Sequence, residues 1–228
     1  SHTAVDELAE NVGKVQEQLS EKGILQDAKL IRIHLGGVSG KFPDNVDEYD
    51  VYNHRDELES LFEEHVLSDE GAAPLIVFTT PVTLRNMVNS VRWVIDEEAD
   101  SAEEFMTDGR ARLFDYLLID EASMMDLPLL FLTGAFLKRD SQLMLIGDHR
   151  QMQPIQSHDW EAEDRQTIEE HTPAVSALDF IRFLRGDDDN KFERFDREPP
   201  VWSNKDAVLP LDQLRTSYRL PPAMARFE

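Results

Sequence analysis

Apolar positions along the chain change their period several times, and each change predicts an element. Val5, Leu8, Val12, Val15 and Leu19 recur at helical spacing over 3–19, opposite a Glu/Gln-rich face, so an amphipathic helix is predicted there, ended by Gly23. Lys29 to Leu35 alternates as a short strand and runs into a Gly36-Gly37 turn. Val38 to Asp56 is polar and aperiodic, which predicts a surface excursion, and Glu57 to Leu67 has the pattern of a short helix.

Three later runs are continuous rather than alternating: Pro74 to Thr80, the stretch ending Leu117-Leu118-Ile119, and Leu143 to Ile146. A strand without polar alternation needs cover on both faces, as in a parallel sheet flanked by helices. Helical patterns separate these runs: one from Thr80 through Ile95, one over Pro128–Leu137, and one over Pro173–Leu184 after the last strand. The rhythm predicts an α/β fold with a parallel sheet. Each buried run ends in polar groups: Thr79-Thr80, Asp120-Glu121 and Gly147-Asp148-His149-Arg150-Gln151. Ligands of open parallel sheets bind at those carboxyl ends.

The 228 residues are enough for one good core and a small appended lobe. The predicted division is a main domain over 1–185 with a surface insertion near 36–71, an acidic linker over 186–210, and the start of a second unit over 211–228. Absence of cysteine excludes disulfides and thiolate metal sites and fits a reducing cytoplasm. The longest apolar stretch, Leu127 to Leu137, is shorter than a bilayer span. Neither a membrane partner nor a targeting segment is expected.

Charge changes this picture. There are 46 acidic residues against 23 lysines and arginines, a formal net charge of -23. Self-repulsion at that level opposes a compact state in dilute buffer, but the screening length falls to about 3 Å at molar salt. The acids are spread along the chain, so adaptation to a salt-rich, halophilic cytoplasm is expected. An ordinary acidic protein or an acidic binding surface is the alternative.

The pair Asp120-Glu121, delivered by an apolar strand, suits nucleotide hydrolysis: one carboxylate for a hydrated Mg²⁺, the other for the attacking water. Gln151 supplies a neutral amide for a γ-phosphate. His149 has no second histidine at ligand spacing and reads as an exposed loop residue. His54, His65, His158 and His171 form no site. The run Asp187-Asp188-Asp189 could hold a nuclease metal, but no strand delivers it.

Taken in order, these segments resemble superfamily 1 helicases. Asp120-Glu121-Ala122-Ser123 resembles the Walker B motif, and Gly147-Asp148-His149-Arg150-Gln151-Met152-Gln153-Pro154 resembles motif III. Ser1-His2-Thr3-Ala4-Val5-Asp6-Glu7-Leu8 is similar to motif Ia of the 1B branch, which contains RNA-surveillance helicases and replication nuclease-helicases; there Asn is usual where this chain has His2. Phe78-Thr79-Thr80 falls at motif Ic, and Leu214 to Pro222, containing Tyr218-Arg219, resembles the entry to the second motor domain.

The resemblance implies a RecA-like P-loop NTPase fold, ATP and Mg²⁺ as cofactors, and single-stranded nucleic acid as partner, DNA more than RNA. It implies that Asp120 binds Mg²⁺, Glu121 activates water, Gln151 couples the γ-phosphate to the strand, and Arg219 reaches that phosphate from the second domain. Ser1, Thr3, Thr79 and Thr80 would face the nucleic acid, although helix caps and strand-end turns account for the same residue types. Arg85, Arg92, Arg110 and Arg112 are a candidate basic patch.

No Gly-x-x-x-x-Gly-Lys-Ser/Thr loop occurs in the sequence. In the family that loop and its strand precede motif Ia, so the resemblance implies the middle of a helicase, inactive alone, with a gap beside the Asp120 strand. A homodimer or partner chain is expected to cover the exposed edges. A catalytically silent remnant serving protein interaction is the second reading.

Overall fold

A computed structural model describes residues 2–36, 42–65, 73–90, 112–148, 152, 154, 175–185 and 210–212. Of the predicted segments, the end of the third helix, the 186–210 linker and the start of the second unit lie outside the described residues, the linker but for residue 210 and the second unit but for 211–212.

The described order is α1 (His2–Ser20), β1 (Lys29–His34), β2 (Val46–Asp50), α2 (Arg55–His65), β3 (Leu75–Phe78), α3 (Pro81–Ser90), β4 (Phe114–Ile119), α4 (Leu127–Gly134), β5 (Leu137–Leu145) and α5 (Ala177–Arg185). Every pairing between strands among the described residues is parallel. This is the mixed α/β architecture of the RecA-like P-loop class, with helices flanking parallel strands.

The first sheet runs β2-β1-β3. One face of β1 carries Ile31 and Ile33 into a core with Leu58, Leu61 and Phe62 of α2 and Leu84, Met87 and Val88 of α3. The other face packs Leu30, with Val46 and Phe78, against Val5, Leu8, Ala9 and Val12 of α1. Both faces are therefore covered, as parallel strands require. α1 approaches the sheet closely at Gly13, where a Cβ would lie 2.9 Å from Val46 Cγ2. Asn45 secures that crossing, its side-chain amide donating to Gly13 O at 2.9 Å and Gln16 Oε1 at 2.7 Å.

β2 corrects the expected surface excursion. Val46-Asp47-Glu48-Tyr49-Asp50 is a strand in register with β1. Its two apolar residues, Val46 and Tyr49, lie three apart among acids, so no apolar run or strict alternation marks it; the pairing with β1 and the contact of Val46 with α1 hold it in the sheet.

β4 and β5 form the second sheet. Leu113 and Phe136, at its base, join the core of the first sheet, and the Phe62 and Phe114 rings meet edge to face at 6.4 Å. Leu117, Ile119 and Leu145 turn toward Leu127 and Leu130 of α4 and Ala177, Leu178 and Phe180 of α5. The opposite face differs from the expectation of a strand covered on both sides: Tyr116, Leu118 and Met144 are exposed, with Leu118 and Met144 paired in register. Leu137 begins β5 and does not end α4, which stops at Gly134, so β5 starts six residues before its apolar run. Its first half, Leu137-Lys138-Arg139-Asp140-Ser141-Gln142, carries too little apolar character to read as a buried strand.

Candidate functional site at the strand ends

Asp120 and Glu121 follow β4, and Gly147-Asp148 follows β5, its parallel neighbour. Ladder hydrogen bonding continues into the turn: Ile146 N–H donates to Ile119 O at 2.8 Å and Ala122 N–H to Ile146 O at 2.9 Å. The two strand tips are thus held edge to edge. Asp120 is exposed, and its Oδ1 accepts the Glu121 N–H at 2.9 Å, which leaves its second oxygen for other partners.

Glu121 is half-buried and sits in the left-handed region at φ 53, ψ 41. A side chain there costs on the order of 1–2 kcal/mol, so the surroundings must impose the conformation. They do so from two sides. Residues 122–124 coil immediately into a 3₁₀ turn, with Met124 N–H on Glu121 O at 2.9 Å. Gly147 lies so close behind that a Cβ would stand 3.1 Å from Ser123 N and 3.2 Å from Ala122 N.

The following segment is anchored as firmly. Asp126 caps α4 through the Leu129 N–H at 2.9 Å, with Pro128 in the first turn. Asp126 also bridges to Ser176, and Ala177 N–H donates to Met125 O at 2.7 Å, docking the start of α5 behind the acidic turn.

Do these residues fit Mg²⁺ and a triphosphate? Mg²⁺ at phosphate sites keeps most of its waters and takes only one or two carboxylates. No group of three or more His, Asp or Glu side chains among the described residues could hold a metal. An exposed Asp120 with a free oxygen meets the smaller requirement, and it would hold the ion. Ser123 Oγ is buried beside the pair without a hydrogen-bond partner among the described residues, a further polar oxygen at the tip.

At the end of β3 the arrangement is different. Thr80 caps α3: its Oγ1 accepts the Thr83 N–H at 3.3 Å and lies 2.9 Å from Thr83 Oγ1. Thr79 Oγ1 makes only a 3.5 Å approach to Thr80 O. Thr3 is exposed in the first turn of α1. Ser1, Gln151 and Arg219 lie outside the described residues, as do Arg92 and Arg110, while Arg85 and Arg112 are exposed. The structure therefore brings together Asp120, Glu121 and the β5 tip, and keeps Thr79 and Thr80 at the end of the other sheet.

A family model described as an AAA domain matches residues 3–157, well over half of the chain. The chain belongs to the AAA domain family. The match takes in α1, both sheets and the acidic turn, and it makes the chain a member of a nucleotide-binding, P-loop NTPase-like group whose members bind ATP and Mg²⁺. No curated protein and no solved structure matches it.

Two polar centres of this AAA domain have no signature in the sequence. Arg32 is 1% exposed in β1, and its Nε donates to Asp6 Oδ1 at 2.6 Å. Asp50, at the end of β2, is also buried. Burial pushes its carboxyl up, but N–H groups of Gly36 (2.6 Å), Asn53 (2.9 Å) and Tyr52 (3.0 Å), with the His34 ring nearby, outweigh that and hold it below the ordinary carboxylate value. A strand alternating Leu30, Arg32, His34 against Ile31, Ile33 reads as half-exposed. Only the fold shows that Arg32 is buried beside Asp6 of α1 and His34 beside Glu48 and Asp50 of β2.

Proposed function

We propose that this AAA domain is the first motor domain of an ATP-dependent superfamily 1 helicase of the 1B branch, working on single-stranded nucleic acid, DNA in preference to RNA. The observation that carries the reading is the pairing of β4 with β5, which sets the Asp120-Glu121 turn beside Gly147-Asp148 at parallel strand tips. Neighbouring tips can address one triphosphate, whereas separate sheets could not.

In this reading Asp120 would hold a hydrated Mg²⁺, which would neutralise charge on the phosphates. Glu121, half-buried beside Asp120, orients and deprotonates the attacking water. Gln151, three residues beyond Asp148, senses the γ-phosphate, and Arg219 completes the site on domain closure. Ser1, Thr3 and Thr79 offer hydroxyls to the strand's phosphates, and Thr80 acts through the N-terminus of α3 that it caps. The net charge of -23 suits a salt-rich cytoplasm, where hydrogen bonds and stacking replace a basic groove.

The test is ATP turnover and unwinding in molar KCl by a polypeptide carrying this chain together with a Gly-Lys-Ser/Thr loop. Glu121→Gln should lower turnover about 10²-fold or more while nucleotide binding persists. Asp120→Asn should raise the Mg²⁺ concentration required. Turnover that survives Glu121→Gln would remove the motor reading.

A further inference from the structure

Arg32 sits where three elements meet. Its Nε donates to Asp6 Oδ1 of α1 at 2.6 Å, Nη1 donates to Ile33 O of its own strand and reaches Phe78 O at the end of β3 at 3.4 Å, and Nη2 lies 3.3 Å from His2 Nδ1 in the first turn of α1. The side chain is 1% exposed. One guanidinium therefore ties the start of α1 to the last residue of β3, immediately before Thr79-Thr80. We propose that Arg32 is a positioning residue for the nucleic-acid face: it sets the separation and angle between the α1 start, with Thr3, and the β3–α3 junction, with Thr79 and Thr80. The proposal rests on the reading of those hydroxyls as strand contacts.

The physical case begins with what a buried ion pair is for. Removing Arg32 and Asp6 from water has a desolvation cost close to what their attraction returns, so an apolar pair of the same volume would hold α1 on the sheet about as well. A planar fork does something that apolar packing does not. It fixes direction, because each N–H must point at its acceptor within a narrow angle. Here the acceptors belong to α1, β1 and β3, so sliding or rolling of α1 against β3 breaks at least one bond of a guanidinium that is itself buried. Apolar contacts of Val5, Leu8 and Ala9 with Leu30 and Phe78 tolerate such movements far better. His2 also takes part: it accepts from the same guanidinium, which places the first turn of α1, next to Thr3, under the control of Arg32.

The experiment measures geometry and binding separately. The chain has no cysteine, so Glu7→Cys on α1 and Val82→Cys on α3, both exposed positions, can carry spin labels without background. Their distance distribution is recorded in the full chain in molar KCl, and binding of a fluorescent oligo-dT is followed by anisotropy. With Arg32 intact a single narrow distribution is expected. Arg32→Lys keeps the charge beside Asp6 but lacks the fork. It should broaden the distribution and weaken oligonucleotide binding about tenfold with a small change in Tm, and Arg32→Met should do the same more strongly. Asp6→Asn combined with Arg32→Lys should add little further loss, since both act through one joint.

Where Arg32→Met does not fold, Arg32→Lys carries the test. An unchanged distribution in Arg32→Lys, or a broadened one with binding intact, overturns the proposal and leaves the nucleic-acid reading standing. A wild-type chain with a narrow distribution that does not bind the oligonucleotide overturns that reading and the proposal built on it. The intact geometry distinguishes this second failure from the first.

Discussion

In the first sheet β1 lies between two parallel neighbours with helices on both faces, and Ile31 and Ile33 are fully buried; in the second, the helices among the described residues cover one face, and Tyr116 stands 73% exposed. Both sheets are parallel and both end in polar residues, yet they divide the work. The first supplies a rigid frame whose polar centres, Arg32 and Asp50, are buried and bonded. The second supplies the acidic turn, held in a left-handed conformation by close packing against Gly147. A half-covered sheet can carry a strained turn only because its other half is built into the frame, through Leu113, Phe136 and Phe114.

The contrast predicts unequal costs for comparable truncations. Phe62→Ala, at a fully buried position between the two sheets, should cost about 3–5 kcal/mol, read as a fall in the denaturant midpoint at constant slope. A cost below about 1 kcal/mol would mean that the frame is not where stability resides.

Asp50→Asn should cost about 2–3 kcal/mol, because an amide cannot accept from the Gly36, Tyr52 and Asn53 N–H groups as the carboxylate does. The folded carboxyl titrates below the ordinary carboxylate value. Its contribution is therefore present above the unfolded value and is lost as pH falls through the lower, folded value. Wild-type stability should drop on acidification below about pH 4, and the Asp50→Asn chain should show a flatter profile there. Equal profiles would mean that Asp50 is no more stabilised than an exposed acid.

A third substitution has the opposite sign. Glu121→Gly removes a side chain from the left-handed region and should raise stability by about 1 kcal/mol, seen as a higher Tm, while abolishing the turnover proposed for this carboxylate. A lower Tm would show that Glu121 is held by contacts rather than against its preference. The smallest effect belongs to the uncovered face: Leu118→Thr, at 49% exposure, should change stability by about 0.5 kcal/mol or less. A loss of several kcal/mol would mean that something covers that face in solution.

Much of the frame was legible in the chain. The helical spacing of Val5, Leu8 and Val12 marked α1, and the run Pro74 to Thr80 marked β3 (Leu75–Phe78), because burial on one side of a helix or both sides of a strand leaves a trace in neighbouring residues. The acidic turn was legible too, since an apolar run ending in Asp120-Glu121 is a pattern in neighbouring residues. β2 was not, because its five residues contain three acids and its place depends on pairing with β1. The early start of β5 escaped for the same reason. The membership of Arg32 in a buried cluster escaped as well, since its partners Asp6 and Phe78 lie 26 and 46 residues away.

The sequence by itself determined the α/β class, the sites of most helices and strands, the acidic pair and the net negative charge, for each follows from local period or from composition. Tertiary structure alone decided that Asp120 and Gly147 share neighbouring tips, that Glu121 must be left-handed, that Arg32 and Asp50 are buried, and that Tyr116, Leu118 and Met144 are exposed on one face of β4 and β5. Those are consequences of which distant segments meet. The free energy of such contacts depends on separation in space, of which separation along the chain keeps no record.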